Sequence, residues 1–395
     1  MTAIVESLAR AGHTLDVVTA LPWYRRHRIE DDWDHRLQQC ESMPWGTVTR
    51  LHPFPTDKSN IAARAVAFGG FTTVAAAVAS VATSGRQRPD VVLAMSPPLI
   101  LGLAGWAAAS RWRVPFVFNI QDVFPDVAVE VGAITNRKVI KAAAALERFL
   151  YLRSDAVTVL SDDLALNVRN KIRDRHPGRV RVIPNFVDVD AIRPGERDNT
   201  YRREFGLGDR TVVMYAGNLG YSQSVTLLTD AARRFSTRRD VVFVVNGEGS
   251  ARGAVSAAAQ GLDNVVMVPF QPKERLGEVL AAADIQTVLL KAGVSASSVP
   301  SKLYSILAAG RPCVASVDPG SEVERSLRDA DGGIAVPPED VDAFCAALER
   351  LLDDEPARRR MGDNGRRWVE RWLTPDGVAS AYADLFGELA SAKRR

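Results

Sequence analysis

The chain has 395 residues, of which 46% are hydrophobic and 25% charged, and a formal net charge of only +3. That length exceeds one ordinary core and points to two domains, while the composition excludes a largely disordered chain. So small a net charge argues against a dedicated nucleic-acid binder. Cys40, Cys313 and Cys345 follow no pairing or metal-ligand spacing, so they read as packing residues of a reducing compartment.

In chain order, residues 2–11 read as a helix closing at Gly12, with LDVVT behind it as a strand over 14–19. A parallel α/β domain normally opens on a buried strand and a Gly-rich turn. Here the helix comes first, so that strand and its glycine loop are expected to be missing. No basic flank leads into an apolar core at the amino terminus, so no secretory signal is expected. The apolar run 65–84 is rich in Ala, Gly and Thr and holds no Leu or Ile. It is weak as a membrane-spanning helix and reads as a buried or surface-lying one. Further strands are predicted over 91–94, 116–120 and 156–160. Basic clusters stand at Arg25-Arg26-His27-Arg28, at Arg111-Trp112-Arg113 and at Arg137-Lys138 with Lys141. Such clusters are usually solvated faces, but aromatic residues beside the first two also suit an anionic membrane surface.

VIPNFVDVDAIRPGERD is rich in Pro and Asp, has no period, and reads as a domain connector. Beyond it, strands are predicted over 212–215, 241–245, 265–268, 285–289 and 313–315, and helical patterns over 340–352 and 366–373. A final helix, 377–392, is expected to pack back across the first domain. The domains are therefore placed at 1–186 and 199–376, with a linker at 187–198. No repeat of solenoid period is present. Asp188-x-Asp190 lies in the joint rather than after a core strand and reads as structural. The histidines, at 13, 27, 35, 52 and 176, join no nucleophile pattern.

Three turns could carry chemistry. In VVMYAGNLGYSQSVTLLTDAA, Gly217 and Gly220 flank Asn218 where a strand gives way to a helix, and the following N–H groups could hold an anion. VVNGEGS places Gly247 and Gly249 after the next strand. In VPSKLYSILAAGRPCVAS, Ser301 is placed to cap a helix whose first turn contains Lys302. A cation there opposes the helix dipole, and the bland reading is a solvated lysine tolerated at a cost of a few tenths of a kcal/mol. All three turns follow strands, on the rim where open α/β sheets bind ligands, which favours an anionic phosphate as the partner of Lys302.

The order AGNLGYSQS, NGEGS, VPSKLYSILAAGRPCVAS, DPGSEVERS and GGIAVPPED resembles the nucleotide half of a retaining family-4 glycosyltransferase of the bacterial exopolysaccharide and O-antigen type. SPPLILGL, FNIQDVFPD and IPNFVDVDAIRP resemble the same branch, so the likeness covers nearly the whole chain. It implies an α/β GT-B fold, two Rossmann-like domains facing a cleft, with a nucleotide-sugar donor and neither cofactor nor metal. Carried over by position, Gly217, Asn218 and Gly220 line the donor's diphosphate, Lys302 holds it, and Lys291 is a second cation. Gly247, Gly249, Ser301 and Ser305 complete that rim. Glu322 contacts ribose or sugar hydroxyls, its plainer role being a helix-capping carboxylate. Phe270 and Gln271 lie where the base is held. From the first domain, Gln121 and Asp122 face the cleft; Gln121 replaces a histidine common in relatives, and Asp122 contacts a sugar or merely caps a turn.

There are departures from the family pattern. Two glutamates usual at the start of the PSK helix are Ser297 and Ser305 here, and the basic pair of the first glycine loop is Asn218 and Gln223. The missing amino-terminal loop is expected to impair turnover. The resemblance implies transfer of a hexosyl or N-acetylhexosaminyl group from a UDP-sugar to a lipid-linked or glycan acceptor, for surface polysaccharide or glycolipid. That work belongs in the cytoplasm, with peripheral contact at the inner face of the plasma membrane. A sugar-nucleotide epimerase of the same fold and a non-catalytic binding relative remain open. A dehydrogenase is disfavoured, since neither turn gives G-x-G-x-x-G with an acidic residue at the expected distance.

Overall fold

Short buried strands alternate with helices along nearly the whole chain, and the outcome is parallel sheets covered by helices. The computed structural model describes residues 2–23, 29–30, 33, 36–56, 61–81, 88–130, 132, 134–173, 176 and 178–394. Arg25, Arg26, His27 and Arg28 lie outside the described residues. The chain divides into two units: Met1–Val129, Ile134–Pro184 and Val378–Arg395 form one, Glu130–Ala133 and Asn185–Gly377 the other.

The first unit runs α1 (Thr2–Arg10), β1 (Leu15–Ala20), β2 (Gln38–Met43), β3 (Gly46–Leu51), α2 (Ile61–Val81), β4 (Val92–Ser96), α3 (Leu101–Trp112), β5 (Phe116–Ile120), α4 (Asp126–Glu130), α5 (Arg137–Arg153), β6 (Ala156–Val159), α6 (Asp162–Ile172) and β7 (Val180–Val182). Its strands make two sheets, β1-β3-β2 and the all-parallel β4-β5-β6-β7. Among the described residues no strand precedes α1. The antiparallel pair β2–β3 was not expected from sequence. Every residue of β5 and β6 is buried, as in the middle of a doubly covered sheet. A buried polar knot joins three helices: Lys171 of α6 reaches Glu147 of α5 at 2.7 Å and Asp126 of α4 at 2.8 Å. Burial raises the Glu147 carboxyl above its ordinary range, while Lys171 opposes the shift.

The second unit runs α7 (Thr200–Glu204), β8 (Thr211–Ala216), α8 (Thr226–Arg234), β9 (Val241–Asn246), α9 (Arg252–Ala258), β10 (Val265–Val268), α10 (Leu276–Ala281), β11 (Ile285–Leu289), α11 (Lys302–Ala308), β12 (Cys313–Ser316), α12 (Glu322–Ala330), β13 (Gly333–Val336), α13 (Val341–Leu352) and α14 (Glu355–Trp372). Its six strands form one parallel sheet in the order β10-β9-β8-β11-β12-β13. Residues 187–198, expected as a linker, are instead packed onto this unit. Val187 and Ile192 are buried in its core, and the Arg366 guanidinium donates to the carbonyls of Val189, Ile192 and Ala308. Asp188 accepts from the backbone N–H of Asp190 and Ala191, as a turn-former does.

The last helix, α15 (Pro375–Arg394), returns to the first unit. There the Asn119 amide of β5 donates to the Tyr382 hydroxyl at 2.8 Å, and Lys393 donates to the Val114 carbonyl at 2.9 Å. No helix among the described residues is long and apolar enough to cross a membrane.

Candidate active site

In the second unit, β8, β9 and β10 step outward in one direction and β11, β12 and β13 in the other. The order reverses between β8 and β11, and ligands of open α/β sheets bind beyond the carboxyl ends at such a reversal. Two of the three expected turns flank it: Gly217–Gly220 follows β8, and the segment after β11 leads into α11, which begins at Lys302.

Lys302 is half-exposed as a residue, but its amine has no accessible surface and no hydrogen-bond partner. The nitrogen lies 3.7 Å from the centroid of the Tyr215 ring, at the end of β8. A Cβ placed on Gly217 would stand 3.2 Å from it, so the glycine, at φ +147°, leaves the amine its room. Burial pulls the Lys302 pKa down to about 7, opposed by the neighbouring Cys313. The Cys313 thiol is itself pushed up to about 12 by burial. The Tyr215 hydroxyl donates to the Asn218 carbonyl at 2.7 Å, which ties the ring to the turn above it. An ammonium that is buried, resting on a ring face and matched by no carboxylate, is short of a counter-charge.

The glycine turns pack closely on each other. A Cβ on Gly247 would meet the Gly217 carbonyl oxygen at 1.9 Å, and one on Gly249 the Leu219 carbonyl oxygen at 2.4 Å. These glycines let the two turns lie backbone against backbone. Some of the amides at these turns are engaged within the fold. Gly217 donates to Asn246, Leu219 to Glu248, Gly247 to Val268, and Gly220 to the Gln223 side chain. Ser301 does not cap α11 either: its backbone is already helical, and no side-chain bond reaches the following amides. Lys302, with its amine buried, and the exposed Lys291 both bring positive charge to this rim.

Residues 1–185 match the family described as "Glycosyl transferase 4-like domain", and residues 197–368 that described as "Glycosyl transferases group 1". The chain is 25% identical over 393 residues, 96% of its length and 93% of the relative's, to WcaI of Escherichia coli (strain K12), named as a colanic acid biosynthesis glycosyl transferase. It is 28% identical to a D-inositol 3-phosphate glycosyltransferase of Mycobacteroides abscessus, over 79% of this chain and 72% of that one. The chain belongs to the family-4 glycosyltransferases. Solved structures agree on the GT-B fold. Sucrose-phosphate synthase of Thermosynechococcus elongatus superposes with a TM-score of 0.73 at 19% identity, covering 98% of this chain and 92% of that one. Anabaena HepE, solved in complex with UDP and glucose, gives a TM-score of 0.67 at 14% identity, covering 81% and 82%.

In this glycosyltransferase the remaining expected residues are placed as follows. Asn218 and Lys291 are exposed on the rim, and the Lys291 amide donates to the Ser222 carbonyl. Ser305 is half-buried on α11. Glu322 opens α12 and is engaged there, with Arg325 at 2.9 Å and the Ser326 hydroxyl at 3.2 Å. Phe270 is 56% exposed beyond β10, while Gln271 accepts from Arg275 at 2.9 Å. Gln121 and Asp122 belong to the first unit. The Gln121 amide donates to Asn119 at 2.6 Å, and Asp122 is half-buried.

Two participants escaped the sequence reading. Tyr215 was passed over as a strand residue, although an aromatic just before a glycine turn is a usable signal for a cation platform. Glu339 is the other. It sits at φ +62°, rare for a residue with a side chain, and is held from both ends: its amide donates to Ser316 Oγ at 2.9 Å, and Ser224 Oγ donates to its carboxylate at 3.1 Å. This clasp ties the loop after β13 to the start of α8, beside the Gly217 turn. A single sequence gives no sign of it, because PPED reads as an ordinary loop.

Proposed function

We propose that this glycosyltransferase is a retaining enzyme that moves a hexosyl or N-acetylhexosaminyl group from a nucleotide-sugar donor, a UDP-sugar, to a lipid-linked or glycan acceptor. The product is a surface polysaccharide or glycolipid, made on the cytoplasmic face of the membrane. The observation that carries the reading is the unpaired Lys302 amine beneath the Gly217 turn at the switch point of the sheet. Support for UDP comes from the HepE structures, and support for a polysaccharide role from the name of WcaI.

Departure of the nucleoside diphosphate leaves an oxocarbenium-like carbon and puts charge on the leaving oxygen. The Lys302 amine, drawn off the Tyr215 ring, is the group placed to stabilise that charge, without a metal. The departing phosphate takes the acceptor's proton on the same face, which accounts for retention and for the lack of an obvious general base. Gln121 and Asp122 serve the acceptor side, Phe270 and Gln271 the base, and Lys291 the outer phosphate.

The test is a thermal-shift panel of nucleotides and sugar nucleotides, followed by product analysis with the preferred donor. Stabilisation by a nucleoside diphosphate and its sugar, with hydrolysis or transfer lost in Lys302→Ala, is the expected result. Unchanged turnover in that variant overturns the role of Lys302. Epimerised donor without acceptor overturns transfer.

A further inference from the structure

Residues 290–301 join β11 to α11, which opens on Lys302. They form neither helix nor strand, so other bonds have to fix their course. The parallel pairing of β11 with β12 ends at Leu289 and Ser316, and the Leu290 amide continues it by one bond, to the Ser316 carbonyl at 2.9 Å.

Beyond that point a side chain takes over from the ladder. Asp318, two residues past the end of β12, accepts the Gly293 amide on both carboxylate oxygens, at 2.9 and 3.0 Å. The Ser295 amide and hydroxyl donate to the same carboxylate at 3.3 and 2.8 Å. Gly293, at φ +84°, supplies the left-handed turn that brings both amides to one acceptor. The segment is also tied on either side of this point. The Lys291 amide donates to the Ser222 carbonyl at 3.0 Å, just past the first glycine turn. Val294 is buried, and the amide and hydroxyl of Ser297 both donate to its carbonyl at 3.1 Å. A carboxylate on a rim that takes an anion is adverse by charge alone, and what Asp318 supplies in return is the shape of this segment.

We propose that Asp318 is a positioning residue for donor binding. Its carboxylate holds residues 293–295 in the course that sets Lys291, before them, and Lys302, after them, at the donor's diphosphate. Asp318 itself touches neither donor nor acceptor. This rests on the reading of Lys302 and its rim as the donor site. Without the carboxylate the segment samples several courses, and the apparent affinity falls by the fraction of time spent in the competent one.

UDP is titrated calorimetrically into the parent, Asp318→Ala, Asp318→Asn, Ser295→Ala and Lys302→Met, at a temperature where circular dichroism shows all of them folded. Deuterium exchange is followed in the peptide spanning residues 290–298. Asp318→Ala is expected to weaken UDP about tenfold, matching a competent fraction of about a tenth. Asp318→Asn weakens it too, although it removes a negative charge. Ser295→Ala keeps the carboxylate and its charge, and weakens UDP about twofold to fivefold through one lost hydrogen bond. In all three variants the segment exchanges faster than in the parent. Should Asp318→Ala not fold, Ser295→Ala decides alone.

Faster exchange with unchanged UDP affinity makes the carboxylate a structural clamp and overturns the proposal. So does weaker binding without faster exchange, and so does tighter binding by Asp318→Asn, the outcome of charge alone. A parent that does not bind UDP overturns the donor-site reading, and the proposal with it. UDP binding that is weakened in Lys302→Met but kept in the Asp318 and Ser295 variants overturns the proposal alone.

Discussion

The amine of Lys302 rests 3.7 Å from the centre of the Tyr215 ring with no hydrogen-bond acceptor in reach. A cation stored this way is held by a quadrupole and lacks the ion pair that usually accompanies burial. The arrangement is unfavourable alone, and on the proposed reading it becomes favourable once a diphosphate supplies the missing charge.

Removing that amine separates binding from folding. Lys302→Met is expected to weaken nucleoside-diphosphate binding about 10- to 100-fold, the loss of one charge-assisted contact. Calorimetric titration reads the affinity, and thermal unfolding reads the stability. At pH 6 the variant is expected to be at least as stable as the parent, because a buried charge has been removed.

The same group sets a pH dependence with a definite sign. Its pKa falls from 10.5 to about 7 on folding. The unfolded chain therefore binds more protons between those values, and the stability cost of the buried amine is full below about pH 7 and fades as pH rises toward 10.5. The stability gap between the parent and Lys302→Met should narrow from pH 6 to pH 10. Ligand affinity runs the opposite way, falling as pH rises above 7, because the anion needs the ammonium. Titration at pH 8 in two buffers of different ionisation enthalpy should show proton uptake on binding; none would disprove the assignment.

Gly247→Ala is expected to lower stability by about 3 kcal/mol or more, since the added carbon would stand 1.9 Å from the Gly217 carbonyl and backbone has to move. Gly253→Ala is the control. It lies in α9 with nothing within 4 Å of the added carbon, so it should be neutral or stabilising by up to about 1 kcal/mol. Denaturant melts of the two variants compare them directly.

For Glu339, glycine should be tolerated better than alanine. Glu339→Ala loses the Ser224 bond and keeps the left-handed backbone, costing about 1 kcal/mol. Glu339→Gly loses the same bond but relieves that backbone, and should fall within about 0.5 kcal/mol of the parent. Chemical unfolding of both variants tests the order.

A buried ion pair gives the steepest expected effect. Arg202, 2% exposed, meets Asp284 at 2.6 Å, and Asp284 also accepts from the Val212 amide at 2.7 Å. Asp284→Ala strands the guanidinium and should cost about 3–5 kcal/mol, read as a loss in the melting temperature.

Strands 116–120, 265–268 and 285–289 could be read from sequence because each is an unbroken run bounded by turn residues. QQCESM and GTVTRL could not: β2 is mostly exposed, and polar residues dilute any alternation. Helix α14 was recognised only at its Trp-bearing end, because EPARRRMGDNG has few apolar positions. Gly362 and Gly365 in that segment are packing residues, pressed against Gly310 and Leu307. At the site, the sequence placed Lys302 at the right turn but not its rest on Tyr215. That pairing joins two segments far apart in the chain, and only the fold brings them together. Nor did the sequence show that the glycine turns pack on each other, because a turn that admits a ligand and a turn that admits another turn have the same composition.

That last ambiguity has a consequence for how such a rim can change. With Gly217 and Gly247 pressed together, neither turn can take on a new side chain without dislodging its neighbour, so the shape of the pair is frozen. On the proposed reading, any retuning of the donor accepted there falls to side chains other than those glycines, with Asn218, Tyr221 and Glu248 exposed on or beside the two turns.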